Sequence, residues 1–402
     1  MKITTPFEPG APPAADFVPL CVPEIAGNEW LYVKECLDTG WVSSVGSFVD
    51  RFERAVADYV GTKFAVAMVN GTAALHVALL VAGVSPEDEV LVNDVTFAAP
   101  VNAIRYIGAW PVFMDADPRH WEMDVDKTAD FLQRRCVRDG GVLRNRRSGR
   151  RVRALLPVHI LGHPCDLDPL MELAARFDLV VVEDATESLG ARYKERRVGG
   201  IGTIGCFSFN GNKIITTGGG GMLTTDDEAM ARRARYLSTQ AKDDPVEYFH
   251  REIGFNYRLT NVLAAIGCAQ MEQLDRYIEK KRSIARRYDA ALSTIPGITT
   301  PSRASWAESI DWLYTILVDP TVFGMTSRQL MGDLQKRKIQ SRPLWTPMHQ
   351  LPPFASCEAY AITESPRIHA TALSLPCSVG LTEDEFERVI HAIRVCSREA
   401  QT

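Results

Sequence analysis

Nothing in the chain resembles a helical membrane span, which needs an apolar run of ~20 residues; no uninterrupted stretch approaches that length. The opening residues 1–19 carry Lys2 as their only base and no long apolar core, so they do not read as a signal peptide. Nine cysteines are scattered with no Cys-x-x-Cys pair and an odd total. Reduced thiols in a cytoplasmic protein are expected, with no metal site. An excess of positive charge is also missing. With 45 basic and 50 acidic side chains the formal net charge is -5, which argues against a general nucleic-acid or membrane-surface binder. No GxGxxG joins a strand to a helix, which removes a dinucleotide-binding reading, and no internal repeat is visible.

What remains is an ordinary globular composition, 46% hydrophobic and 24% charged, in a chain long enough to bury a sizeable core. Residues 1–19, with Pro6, Pro9, Pro12 and Pro13, read as a flexible arm. Residues 24–37 and 49–60 read as helices, separated by a loop around Ser43-Ser44-Val45-Gly46. Strands are predicted at 65–69, 90–93, 112–114, 154–159 and 179–183, with helices at 72–82 and 99–107; 204–209 and 221–225 complete the set. Near-continuous Val, Leu and Ile runs separated by helices imply a mostly parallel sheet covered on both faces. One long helix over 261–292 reads as a connector, with a smaller α/β unit beyond Pro296-Gly297. The expected division is an arm over 1–19, a large domain over 20–270, and a connecting helix with a small C-terminal domain over 271–402. Residues 134–153 hold nine arginines against one acid, Asp139. Without interleaved aromatics this is a poor nucleic-acid patch. It reads as a solvated hairpin, with attraction of a phosphorylated substrate as the second reading.

Chemistry concentrates around Lys213. It follows Phe207-Ser208-Phe209 and precedes the run Gly218-Gly219-Gly220-Gly221. Upstream, Val180-Val181-Val182-Glu183-Asp184 places an acid at the end of an apolar strand, where a parallel sheet forms its ligand crevice. Pyridoxal phosphate needs such a pair: a lysine for the Schiff base and a carboxylate for the pyridine nitrogen. Asn70-Gly71-Thr72 opens a helix after a strand, and backbone N–H groups there favour an anion. Gly71 permits close approach, Thr72 adds a hydroxyl, and Ser208 is a second phosphate candidate. Phe97 sits just past a strand and could stack on a flat ring or fill core.

Together these segments resemble the DegT/DnrJ/EryC1/StrS family of pyridoxal-phosphate-dependent sugar aminotransferases. The resemblance runs over residues 21–394 and rests on ordered motifs: Gly40-Trp41-Val42-Ser43-Ser44-Val45-Gly46, Asn70-Gly71-Thr72-Ala73-Ala74-Leu75, Val158-His159, Glu183-Asp184-Ala185-Thr186-Glu187-Ser188-Leu189-Gly190, Phe207-Ser208-Phe209 with Lys213, and Gly254-Phe255-Asn256-Tyr257-Arg258. It implies a fold-type-I α/β aminotransferase: a large domain with a mostly parallel sheet between helices, plus a smaller C-terminal α/β domain. It also implies a homodimer with shared active sites, pyridoxal 5'-phosphate as cofactor and pyridoxamine phosphate as its intermediate form. Lys213 would carry the Schiff base and Asp184 pair with the ring nitrogen. Gly71, Thr72 and Ser208 would hold the phosphate, Phe97 would stack on the ring, and Asn256 would reach the phosphate of the neighbouring subunit. Glu187 stands where many members carry Gln or His against the ring hydroxyl. Some relatives replace the lysine with histidine and dehydrate instead; Lys213 favours transamination.

A narrower resemblance points to acceptor and donor. Arg342-Pro343-Leu344-Trp345-Thr346-Pro347-Met348-His349, the Arg-rich insertion and Thr186-Glu187-Ser188 are similar to the bacillosamine and legionaminic acid pathway enzymes. The implied reaction transfers an amino group from L-glutamate to C4 of a nucleotide-linked 4-keto-6-deoxy sugar, with UDP-4-keto-6-deoxy-N-acetylglucosamine the first expectation. The alternatives are another nucleotide ketosugar, of the GDP-perosamine type or aminated at C3, or a non-catalytic pyridoxal-phosphate-binding regulator. His159, His349 and Arg258 are the substrate-side candidates.

Overall fold

The computed structural model describes residues 16–244 and 246–399. Its first half supplies β1 (Phe64–Met68), β2 (Glu89–Asn93), β3 (Trp110–Met114), a hairpin of β4 (Cys136–Asp139) and β5 (Val142–Asn145), then β6 (Val152–Leu156), β7 (Val180–Asp184), β8 (Ile204–Ser208) and β9 (Gly221–Thr225). The rest adds β10 (Ile298–Thr299), β11 (Tyr314–Val318), β12 (Arg342–Pro343), β13 (Glu358–Tyr360) and β14 (Ala372–Leu375).

The main sheet has the order β1-β9-β8-β7-β6-β2-β3-β13. From β8 to β13 every pairing is parallel, and β9 runs antiparallel to both β8 and β1. Alternation along each strand explains the two covered faces. Leu91, Ala65 and Ala67 face one apolar cluster, with Phe52 and Phe207. Val90, Val92, Val66 and Met68 face the other, with Leu75 and Val77 of the helix Gly71–Val81. A third cluster surrounds the antiparallel sheet β10-β11-β14-β12. The two sheets are not separate in sequence, because β13, late in the chain, returns to pair with β3.

Three expectations change. The long helix over 261–292 is two helices, Asn261–Met271 and Leu274–Leu292. Glu272 sits at the break and is held sideways, accepting from Tyr32 Oη at 2.7 Å, Arg51 at 2.8 Å and Asn28 Nδ2 at 2.8 Å. The helix expected over 24–37 begins only at Glu29. The expected arm lies outside the described residues up to position 15. Beyond it the chain is fixed: Val18 is fully buried, its N–H donates to Lys338 O at 2.9 Å, and Asp16 pairs with Lys338 at 2.6 Å.

The arginine-rich segment forms the hairpin and locks it to the sheet. Arg151 pairs with Asp88, Arg150 with Glu87 at 2.9 Å, and Arg134 with Asp130 at 2.6 Å. Asn145 donates to Glu89 at 2.9 Å and to Glu358 at 2.8 Å, tying the hairpin to β2 and β13 at once.

Candidate active site

Because β1, β2, β6, β7 and β8 share one direction, the residues just past their ends gather on one edge of the sheet. A cavity of about 540 Å³ opens there, bringing together Gly71, Thr72, Phe97, Asp184, Glu187, Ser208 and Lys213. β9 runs the other way, so Gly219 and Gly220, which precede it, reach the same edge.

One end of the cavity is built for an anion. Asn70 caps the helix Gly71–Val81, its Oδ1 accepting from Ala73 N at 2.8 Å. Ala74 N is taken by Asn70 O. The earlier N–H groups of Gly71 and Thr72 have no partner among the described residues and lie at the positive end of the helix dipole. A Cβ on Gly71 would stand 2.7 Å from Ser208 Cβ, so only glycine leaves this cradle open. These features fit the phosphate of pyridoxal phosphate.

The other end carries the charges. Asp184 is buried, and burial raises its pKa against the opposing bonds from Thr186. A carboxylate so placed gains from a cationic partner such as a protonated ring nitrogen. Glu187 Oε2 accepts from Leu161 N at 2.8 Å, and its Oε1 lies 3.6 Å from Lys213 Nζ. Burial pushes the Glu187 carboxyl up to about 7, with Lys213 opposing. Lys213 Nζ also stands 4.1 Å from the centre of the Trp312 ring, and Trp312 Nε1 donates to Asn212 O at 2.7 Å. The lysine is thus gripped from both sides. Phe97, 58% exposed, offers its ring at the mouth just before the helix Ala98–Tyr106.

Four other candidates lie elsewhere. His159 is fully buried beneath the site. Its Nδ1 accepts from Cys165 N at 3.0 Å, so Nε2 donates to Glu183 at 3.1 Å. His349 sits on the turn Met348–Gln350, where Asp94 takes its Nδ1 at 2.7 Å and its N–H at 3.0 Å. Arg258 is spent on Glu53 at 2.5 Å and Ala67 O at 3.0 Å. None of these three lines the cavity. Asn256 is exposed, bridged to Thr239, and does not line the cavity of its own chain. No arginine of residues 134–153 lines it either. The cavity wall instead gains Trp312, Arg342 and Trp345. The last two lie in the segment singled out in the sequence; His349, from the same segment, does not line the cavity. Trp312 carries no motif at all.

The model of the DegT/DnrJ/EryC1/StrS aminotransferase family matches residues 23–394. The chain belongs to that family. It is 40% identical over 377 residues to the GDP-perosamine synthase of Caulobacter vibrioides, covering 94% of this chain and 97% of that one. It is 37% identical over 378 residues to the GDP-perosamine synthase of Escherichia coli O157:H7, covering 94% and 98%. Among solved structures it is similar to DesI, determined in the presence of its TDP-sugar product, with a TM-score of 0.86, 26% identity, and coverage of 96% and 95%. The protein is a pyridoxal-phosphate-dependent sugar-nucleotide aminotransferase with the fold-type-I α/β architecture.

Gly71→Ala should weaken cofactor retention about tenfold or more, a loss of roughly 1.4 kcal/mol, and should also lower the thermal midpoint of the cofactor-free protein, because the new Cβ pushes against Ser208. Equilibrium dialysis against pyridoxal phosphate measures this. Glu187 gives a pH-dependent outcome. Its carboxyl titrates near 7 in the folded chain and at about 4.3 when unfolded. Between these values the folded state holds the extra proton, so this group's contribution to stability falls as pH rises. Glu187→Gln removes that term. In the cofactor-free protein the variant's melting temperature relative to the parent should rise from pH 4.5 to 7 and level off above.

Proposed function

We propose that this chain aminates C4 of a GDP-linked 4-keto-6-deoxyhexose, the perosamine precursor, with L-glutamate as donor. The observation that carries the reaction type is the placement of Lys213 Nζ beside Glu187 and Trp312, in the cavity that Asp184 and Gly71 share. The choice of GDP rests on the two GDP-perosamine synthases at 40% and 37% identity over nearly the whole chain. They favour GDP over the UDP-linked N-acetylhexosamine expected from the narrower motifs.

The bound cofactor supplies an electron sink for charge developing on carbon; the chain supplies position and proton transfer. With the cofactor bound, the Asp184 carboxylate would favour a cationic ring nitrogen, and the Lys213 amine would be the group placed to take a proton from the donor α-carbon and to return it in the sugar half-reaction. Glu187, a carboxyl poised near neutrality, lies close enough to take or return a proton at Lys213 Nζ. Arg342 and Trp345, on the wall formed by the later part of the chain, offer a cation and a ring to the nucleotide-sugar.

A homodimer with shared sites belongs to the same reading. Trp30, Leu31, Trp41 and Val45 leave apolar surface exposed, as do Val246, Tyr248 and Ile253 near Asn256. An Asn256 that faces away from its own cavity is free to serve a neighbour's.

The test runs the protein with pyridoxal phosphate and L-glutamate against GDP- and UDP-linked 4-keto-6-deoxy sugars in parallel, with products identified by mass spectrometry and NMR. A GDP-4-amino sugar formed preferentially, and lost in Lys213→Ala, is the expected result. Preferential turnover of the UDP sugar would overturn the nucleotide assignment and leave the aminotransferase intact. For the shared site, Lys213→Ala and Asn256→Ala chains are mixed and reassembled. Random pairing restores one intact site in half the dimers, so about one quarter of parental activity should return. Activity no greater than the mean of the two unmixed variants would rule the shared site out.

A further inference from the structure

Behind the wall that carries Trp312 lies a group of side chains that the transamination does not use. Lys281, in the helix Leu274–Leu292, is 2% exposed. Its Nζ donates to Trp312 O at 2.8 Å and Cys377 O at 2.6 Å, and lies 3.4 Å from Cys21 Sγ and 3.6 Å from Cys377 Sγ. Among the described residues no carboxylate pairs with it. A buried ammonium needs a counter-charge, and the only ionisable groups that touch it here are the two thiols.

The backbone holds these thiols together. Cys377 N donates to Leu20 O at 2.7 Å, and Val22 N to Ser378 Oγ at 3.0 Å, so the segments around Cys21 and Cys377 run side by side. The thiols differ in access. Cys377 is 1% exposed, whereas Cys21 is half-buried and lines the cofactor cavity. Cys21 Sγ also touches Asn212 O at 3.5 Å, one residue from Lys213. The hydrogen bond from Cys377 and the nearby Lys281 draw the Cys21 thiol below the ordinary thiol range, while Cys377 is pushed up. One thiol is therefore suited to attack and the other to resolve.

We propose that Cys21 is a modification site for peroxides entering the cofactor cavity, with Cys377 as its resolving partner and Lys281 as the group that positions and activates the pair. The Cys21 sulfur attacks one peroxide oxygen, the O–O bond breaks, and the second oxygen leaves as hydroxide. That hydroxide takes the proton Cys21 gave up and becomes water, and Cys21 is now a sulfenic acid. The Cys377 sulfur attacks the Cys21 sulfur, the S–O bond breaks, and the departing hydroxide takes the Cys377 proton as a second water. Two thiols are oxidised to one disulfide, and one peroxide is reduced to two waters. A dithiol reverses the bond.

The test needs no sugar substrate, so it stands or falls apart from the acceptor assignment. The full-length holoenzyme is treated with one equivalent of hydrogen peroxide, blocked with N-ethylmaleimide and digested without reduction. A peptide pair linked through Cys21 and Cys377 is expected, with seven of the nine thiols still alkylated, and dithiothreitol should return the missing two. Cys357, the other half-buried thiol, raised by burial and without a lysine neighbour, is the internal control and should stay alkylated. In Cys377→Ser the reaction should stop at a sulfenic acid on Cys21, trapped by dimedone. If peroxide consumes Cys357 as readily as Cys21, or if Cys377→Ser leaves the product unchanged, the site does not exist as described.

Discussion

A single buried carboxylate, Glu183, fixes the floor on which the site is built. Fully enclosed at the end of β7, it accepts from Gly199 N at 2.7 Å, Ile201 N at 2.7 Å, Gly202 N at 2.5 Å and His159 Nε2 at 3.1 Å. Burial alone would raise its pKa; the histidine and the backbone donors outweigh burial and hold it below the usual carboxylate range. Removing one partner from such a group costs about 3–5 kcal/mol, because the remaining charge stays buried and uncompensated. Successive residues of a strand face opposite sides. Pinning Glu183 into the core therefore aims Asp184 at the cavity, with no freedom for the strand end to twist.

The cavity that results is unevenly charged. At one end lie helix N–H groups without partners among the described residues, and at the other two buried carboxylates, Asp184 and Glu187, both raised by burial. Among the described residues Lys213 is the one lysine on the wall. Such a pocket complements a group that is anionic at one end and cationic at the other. Pyridoxal phosphate is such a group: its phosphate would suit the N–H groups of Gly71 and Thr72, and its ring nitrogen would relieve the Asp184 carboxylate. The same contacts that would hold the cofactor would then also favour its ring as an electron sink.

What the sequence disclosed follows from how local each feature is. The strand ends, the Asn-Gly-Thr cap and the acid that closes β7 are written in consecutive residues, and they stand on the cavity as read. The features that the sequence does not place depend on distant partners. Arg258 reaches across to Glu53 and His349 to Asp94, while Glu272 at the helix break reaches Arg51, pairs more than two hundred residues apart. His159 looked like a strand-end ligand, but β6 stops at Leu156, and its ring turns under the sheet edge to Glu183. Trp312 follows Asp311, whose φ is +50°, in a loop without a motif, and only the folded chain brings it to Lys213. Even the broken helix is decided by a tertiary contact, since nothing between Met271 and Leu274 would interrupt helical periodicity on its own.

The same distinction separates what the motifs say about cofactor from what they say about acceptor. Gly71, Thr72, Asp184, Glu187, Ser208 and Lys213 lie at or just past strand ends whose order is fixed by the sheet. The facing wall comes from Trp312, Arg342 and Trp345, delivered by β11, β12 and the loops around them. Trp312 is buried in the same apolar cluster as Phe52 and Phe207, and Trp345 packs against both clusters of the main sheet, so this wall is built directly onto the floor. A motif anchored in the floor identifies the chemistry with little ambiguity. The opposite wall draws Arg342 and Trp345 from the segment 342–349, while His349 of the same segment is taken by Asp94.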